Sequence, residues 1–162
     1  MGIIRRILRR RRNELRIAMK GKIRLELYGE DGNLKTCVEK ENLIVDAGLE
    51  WIKSYCFDAA TPYVQMAQIA IGTGVNPVAP ADVALQTESV RQAIATYTPG
   101  GTGVMTIDTT FAAGVGTGII TEAGVFELPV AGQMWNRVVF AAVNKTAGDT
   151  LKVAVTVTFT AV

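Results

Sequence analysis

The chain has 162 residues, 49% of them hydrophobic, and a formal net charge of +2. This length fits one domain with a sizeable core, and the composition excludes both a disordered chain and a membrane-spanning helix, since no run approaches about 18 apolar residues. Histidine is absent, which excludes histidine-dependent nucleophiles, imidazole metal ligands and histidine acid–base catalysis.

The small net charge hides a strong asymmetry along the chain. Residues 1–24 contain ten basic side chains and one acidic side chain (+9), whereas residues 25–162 contain seven basic and fourteen acidic side chains (−7). We therefore divide the chain into a basic arm, residues 1–20, and a mildly acidic body, residues 21–162.

The arm has the pattern of an amphipathic helix. Ile4, Leu8, Leu15 and Met19 are spaced by four, seven and four residues, which places them on one side of a helix. We predict this helix over about residues 2–18. Arginines cover much of its remaining surface: Arg5, Arg6, Arg9, Arg10, Arg12 and Arg16.

The arginine run at residues 9–12 has four interpretations: docking on an acidic protein surface, a solvated tail, nucleic-acid binding, or binding to an anionic membrane surface. The apolar stripe argues against a solvated tail. The acidic body argues against a dedicated nucleic-acid-binding protein, which normally carries basic character on its folded part as well. Protein docking is favoured, and its predicted contact residues are Ile4, Arg5, Leu8, Arg9, Arg10, Arg11, Arg12, Leu15 and Arg16.

The body is predicted to begin with a β-hairpin. Ile23, Leu25 and Leu27 alternate with polar residues, which is typical of a half-buried strand. The sequence EDGN at residues 30–33 predicts a turn, and residues 34–39 form a plausible returning strand.

A helix is predicted after this hairpin, over about residues 46–57. Asp46 is the expected N-cap, and Leu49 and Ile52 lie on one helical face with Lys53. This is the one helix that we expect inside the body.

From residue 63 onward the chain alternates between strands and turns. One helical turn is predicted at residues 80–85. Leucine, valine and phenylalanine alternate mainly with threonine in the last strand, the clearest in the chain. Strands are predicted at residues 64–71, 90–98, 104–111, 119–127, 134–140 and 150–160. This succession predicts a mainly β fold, an antiparallel β-sandwich or jelly roll.

Motifs for catalysis are weak. The GTG sequence at residues 72–74 follows a strand, but it lacks the third glycine and the following helix of a dinucleotide fingerprint, so a structural turn is the preferred interpretation. Asp108, Glu122 and Asp149 have no predictable partner for general acid–base catalysis. We therefore assign no catalytic residue and expect no enzyme activity.

Metal ligands are equally sparse. A calcium site from Glu30, Asp31 and Asn33 is conceivable, but a hairpin turn fits these residues better. Cys37 and Cys56 are 19 residues apart, without a CxxC spacing and without histidine, which does not make a zinc site. We expect free thiols, assembly in a reducing cytoplasm, no metal and no cofactor.

Four segments of the body resemble small virion structural proteins of tailed bacteriophages. The resemblance covers roughly residues 21–162, and the order of the segments is its most specific feature. The segments are NLIVDAGL at residues 42–49, IAIGTG with the following P, D, AL and E at residues 69–88, TEAGVF at residues 121–126, and NRVVF followed by N and GDTL at residues 136–151.

The resemblance implies a β-rich, oligomeric protein that decorates (cements) the capsid or belongs to the tail and its fibres. We expect a non-enzymatic protein that is made in the host cytoplasm and lies on the capsid surface, where it bridges capsid subunits. The expected partners are the major capsid protein or another virion protein, and further copies of this chain, with a trimer favoured. The alternatives are a tail or tail-fibre protein and a nucleic-acid-binding protein that uses the arm; no membrane partner is expected.

Overall fold

The computed structural model describes residues 17–58 and 64–162. One helix, α1 (Asp46–Phe57), lies among antiparallel strands. The strands are β1 (Ile17–Tyr28), β2 (Leu34–Ile44), β3 (Gln68–Gly72), β4 (Glu88–Ala93), β5 (Thr96–Pro99), β6 (Val104–Phe111), β7 (Gly118–Phe126), β8 (Met134–Lys145) and β9 (Thr150–Ala161).

All nine strands belong to one sheet, in the order β4-β3-β7-β8-β2-β1-β9-β6-β5. Its two parts meet where Leu43 and Ile44 of β2 pair with Arg137 and Asn136 of β8. The sheet curls into a half-barrel. On the side away from the β2–β8 ladder, the hydroxyl of Thr109 on β6 donates a hydrogen bond to the carbonyl of Ala93 at the end of β4, at 2.7 Å.

The hydrophobic core lies inside this curl. The alternating residues Ile23, Leu25 and Leu27 of β1 are buried, as predicted, and they face residues from the β3-β7-β8 part, among them Ile69 and Ile120. The mainly β, antiparallel class with one helix is therefore confirmed. A sandwich or jelly roll has two separate sheets that face each other. Here the two facing parts belong to a single curled sheet, because the short β2–β8 ladder connects them.

The predicted helix at residues 46–57 is confirmed, but its predicted cap is wrong. Val45 is the N-cap residue, and no side chain caps the helix. Asp46 lies in the first turn, where its backbone N–H donates to the carbonyl of Pro80 at 2.8 Å. A tertiary hydrogen bond thus replaces the local cap.

Two further expectations are corrected by the chain's long-range contacts. The strand predicted over residues 90–98 is divided into β4 and β5, because the N–H groups of Ile94 and Ala95 bond to Ala67 and Asp108, in different parts of the sheet. The helical turn predicted at residues 80–85 is a non-helical turn. There the Asp82 carboxylate accepts a hydrogen bond from the backbone N–H of Ala79.

The first strand begins earlier in the chain than the alternation at Ile23, Leu25 and Leu27 indicates. β1 begins at Ile17, and residues 17–20 pair with β9, with Ile17 opposite Ala161 and Lys20 opposite Thr158. Met19, predicted on the apolar side of the arm helix, therefore lies in a strand. The rest of the predicted arm helix lies outside the described residues.

Candidate functional site

Glu122 on β7 is a fully buried acid with five hydrogen bonds to its carboxylate. Arg137 on β8 donates to its Oε2 from both Nε (3.0 Å) and Nη2 (2.8 Å). Backbone N–H groups of Gly74, Gln86 and Thr87 donate to the same carboxylate at 2.9, 3.0 and 2.7 Å. Glu122 is 0% exposed, so its oxygens are satisfied within the protein.

Arg137 extends this contact to a third charged residue. Its Nη1 donates to Asp82 Oδ2 at 2.9 Å, and only 3% of its side chain is exposed. Burial opposes ionisation of Asp82, but hydrogen bonds from Ala79 N–H and from Arg137 outweigh it and hold the pKa of Asp82 below its usual value. Asp82, Glu122 and Arg137 together form what we call the ion-pair cluster.

The ion-pair cluster fastens the long loop at residues 73–87 to β7 and β8. A Cβ at Gly74 would lie 2.4 Å from Glu122 Oε1, and a Cβ at Gly72 would lie 2.4 Å from the carbonyl oxygen of Thr87. The GTG sequence is therefore explained by close packing. The N–H that a phosphate loop would present to an anion is used here by a carboxylate of the protein itself.

All four segments that carry the resemblance contribute to this region. The segments at residues 69–88, 121–126 and 136–151 supply Asp82, Glu122 and Arg137. The segment at residues 42–49 joins them through Asp46, whose N–H donates to the carbonyl of Pro80 in the segment at residues 69–88, at 2.8 Å. The motif residues are therefore neighbours in space.

Glu122 is a candidate acid in the sequence, but no local pattern indicates a partner for it. The missed signal is that Glu122 and Arg137 are both charged residues inside apolar strands that follow each other along the chain, joined by residues 127–133. The β7–β8 register places Arg137 opposite Gly124, two residues from Glu122, within diagonal reach across an antiparallel pair. Asp82 lies 55 residues from Arg137 along the chain, so no local pattern indicates that contact.

A second buried charge lies at the β8–β9 turn. Lys145 Nζ donates to the carbonyls of Ala112 (2.9 Å) and Asp149 (2.6 Å), and its burial lowers the pKa of this lysine. The Asp149 carboxylate accepts hydrogen bonds from Thr146 N–H and from Lys35 Nζ, at 2.8 and 3.0 Å. These contacts hold the β8–β9 turn against the loop that follows β6.

The neighbouring hairpin turn accounts for the acidic residues that were considered as calcium ligands. Gly29 N–H donates to the carbonyl of Asn33 at 2.9 Å, and Asn33 donates to Asp31 from its backbone and its side chain. The turn interpretation is confirmed. Within residues 17–58 and 64–162, no group of three or more acidic or cysteine residues is placed to hold a metal ion.

An open apolar groove of about 660 Å³ runs along α1; we call it the α1 groove. One wall is the α1 face that carries Leu49, Ile52 and Cys56, and the other includes the start of β1 and the end of β9. Its exposed apolar members include Ile17 (71%) and Phe57 (87%). The lining residues are Ile17, Met19, Asn42, Leu43, Ile44, Leu49, Ile52, Cys56, Phe57 and Phe159.

The predicted contact residues of the arm lie outside the described residues: Ile4, Arg5, Leu8, Arg9, Arg10, Arg11, Arg12, Leu15 and Arg16. The α1 groove was not predicted, because its walls come from both ends of the chain. Cys37 on β2 and Cys56 on α1 are both free and exposed.

Comparison of the chain with protein-family models finds no matching family, and comparisons with curated proteins and with solved structures find no significant match. Among the described residues, no helix is long and apolar enough to cross a membrane.

Proposed function

We propose that this chain is a non-enzymatic structural protein of a tailed-phage virion, a capsid decoration protein that binds the outer shell and bridges capsid subunits. In this proposal it is made in the host cytoplasm and acts on the capsid surface. Its partners are the major capsid protein or another virion protein, together with further copies of this chain.

The ion-pair cluster carries the proposal. Three charged residues of the resembling segments, Asp82, Glu122 and Arg137, are bonded to one another, and two of them are buried, with Glu122 0% exposed and the Arg137 side chain 3% exposed. They brace a loop against the sheet instead of presenting reactive groups to a substrate. A set of segments that specifies a braced β body suits a protein whose role is to be rigid and to bind.

The charge distribution supports binding through the arm. The body from residue 25 onward carries −7, and the first 24 residues carry +9, so each copy has one strongly cationic attachment point. Arginine forms strong bidentate contacts with carboxylates. Many copies on a symmetric shell need little affinity each, because the contacts act together.

Two alternatives share part of this support. The resemblance equally includes tail and tail-fibre proteins, and the arginine run at residues 9–12 favours nucleic acid as a second candidate partner. The location of the chain separates the three: outside the shell, on the tail, or inside the shell with the genome.

The proposal is tested on particles from cells that carry the gene. Particles are banded in a density gradient, their proteins are quantified by mass spectrometry, and intact particles are labelled with an antibody against the body. We expect many copies per particle and label over the shell. Label on the tail alone would favour the tail alternative, and absence of the chain from particles would contradict the proposal.

A further inference from the structure

The α1 groove has the apolar lining of a helix-binding site. Leu49, Ile52 and Cys56 are spaced by three and four residues, so they lie on one face of α1. Leu49 is 49% exposed and Phe57 is 87% exposed. A contiguous exposed apolar surface of this kind marks an interaction site.

The N-terminal end of the described residues lies at the groove. Ile17, the first described residue, lines the groove, and sixteen residues precede it. These residues contain the apolar stripe of Ile4, Leu8 and Leu15. From Leu8 to Leu15 a helix would rise about 10 Å, and the part of α1 between Leu49 and Cys56 has the same length.

The charges of the two segments are complementary. Residues 1–16 contain seven arginines and one glutamate, whereas residues 46–58, which include α1, contain three acidic residues and one lysine. The two segments therefore carry net charges of opposite sign, which favours their association.

We propose that the α1 groove binds the apolar stripe of residues 4–15 of the same chain. The tether at Ile17 makes docking intramolecular, which raises the effective concentration of the stripe. In this arrangement Ile4, Leu8 and Leu15 face the groove, Arg9 and Arg10 face away from it, and Arg11 and Arg12 lie at its edges. The arm then presents arginines to a partner from a fixed position on the body.

Two exposed cysteines make the proposal directly measurable. Cys56 lines the groove, whereas Cys37 is exposed on β2 and is not among the lining residues. The purified full-length chain is treated with a thiol reagent, and the labelling rate of each cysteine is followed by peptide mass spectrometry. Docking shields Cys56 and leaves Cys37 unaffected.

The decisive comparison uses substitutions in the full-length chain. With a docked fraction of about 90%, the double variant Leu8→Ser, Leu15→Ser labels Cys56 roughly tenfold faster than the unsubstituted chain. Asn13→Ser is the matched control, since residue 13 lies on the opposite side of the predicted helix. It should leave the rate unchanged, and Cys37 should label equally in all three proteins.

Equal labelling of Cys56 in the three proteins would overturn the proposal. Shielding that increases with protein concentration would also overturn it, because the occupant would then be the arm of a second copy. The measurement uses the isolated chain and involves no particle. Its failure is therefore distinguishable from failure of the virion proposal, which is decided by where the chain is found.

Discussion

The Glu122 carboxylate holds the loop at residues 73–87 in place, because three backbone N–H groups of that loop donate to it. Glu122→Gln keeps the size of the side chain but removes the charge facing Arg137 and one of the acceptor oxygens. We expect the free energy of unfolding to fall by about 3 kcal/mol, the lower end of the cost of leaving a buried charge without its partner, because Arg137 keeps its contact with Asp82. Urea unfolding followed by tryptophan fluorescence measures this change.

The matched control is Glu50→Gln on α1. Glu50 pairs with Lys53, and both side chains are exposed, so this substitution should change the free energy of unfolding by no more than about 0.5 kcal/mol. A similar small effect for Glu122→Gln would show that the ion-pair cluster does not brace the loop.

Asp149 gives the body a defined acid sensitivity. The hydrogen bond from Thr146 N–H, together with Lys35, lowers the pKa of Asp149 against the opposing effect of burial. Because the folded pKa lies below the unfolded value of about 3.9, this contribution to stability is complete above that value and is lost as the pH falls toward the folded pKa.

We therefore expect Asp149→Asn to reduce the slope of unfolding free energy against pH below about pH 4. Chemical unfolding at a series of pH values measures the slope. An unchanged slope in the variant would mean that Asp149 does not contribute to the loss of stability at low pH.

At the scale of elements, the position of α1 on the sheet depends on Gly48. A Cβ at this position would lie 2.2 Å from the carbonyl oxygen of Trp135, which is backbone and cannot rotate away. Helix propensity alone would make Gly48→Ala stabilising by about 1 kcal/mol. We expect the steric conflict to prevail and the variant to lose about 1–3 kcal/mol of stability.

Gly101→Ala is the control for that substitution, because nothing lies within 4 Å of a Cβ built there. Thermal unfolding of the two variants should show a lowered midpoint for Gly48→Ala and little change for Gly101→Ala. A stabilised Gly48→Ala variant would show that α1 can move away from β8 without cost.

The elements also show how far sequence patterns reach. Alternation and turn residues located β6 at residues 104–111, and helical spacing located α1 at residues 46–57, both with the observed bounds. The division between β4 and β5 was not predictable, because the alternation continues across Ile94 while its N–H bonds to Ala67. The strand structure of residues 17–20 was not predictable either, because their pairing partner is β9, at the far end of the chain.

In the ion-pair cluster, too, contacts between residues that are far apart along the chain were not predictable. The acid–arginine contact between β7 and β8 follows from hairpin register and was within reach of the sequence. The contact to Asp82 depends on how a 15-residue loop folds back, and the α1 groove depends on the distant Phe159. Local periodicity carries no information about such pairs.

At the scale of the whole molecule, the arm should serve attachment and not folding. Replacing all four arginines at residues 9–12 by glutamine should leave the unfolding free energy of the body unchanged. It should weaken binding to particles at least about tenfold, because several charge-assisted contacts are lost together. Co-sedimentation with particles that lack the protein measures binding, and the four-lysine variant, which keeps the charge, is the control.

Serine at Leu8 and Leu15 should weaken particle binding about as much as removal of two arginines, while retention on DNA barely changes. In the docked arm these side chains are buried in the α1 groove, and burial of one of them contributes about 1.5–3 kcal/mol, comparable with an arginine pair after screening. Their loss releases the arm, so the arginines no longer reach the partner from a fixed position. Normal particle binding by the serine variants, combined with loss of DNA retention in the arginine variants, would favour the nucleic-acid alternative.

The most direct test of the virion proposal is a cryo-electron microscopy difference map between particles that contain the chain and particles from which its gene has been deleted. A decoration protein predicts additional density on the outer face of the shell, repeated at the junctions between capsid subunits and large enough for the nine-stranded body. A shell without outer difference density, or difference density confined to its interior beside the genome, would contradict this account.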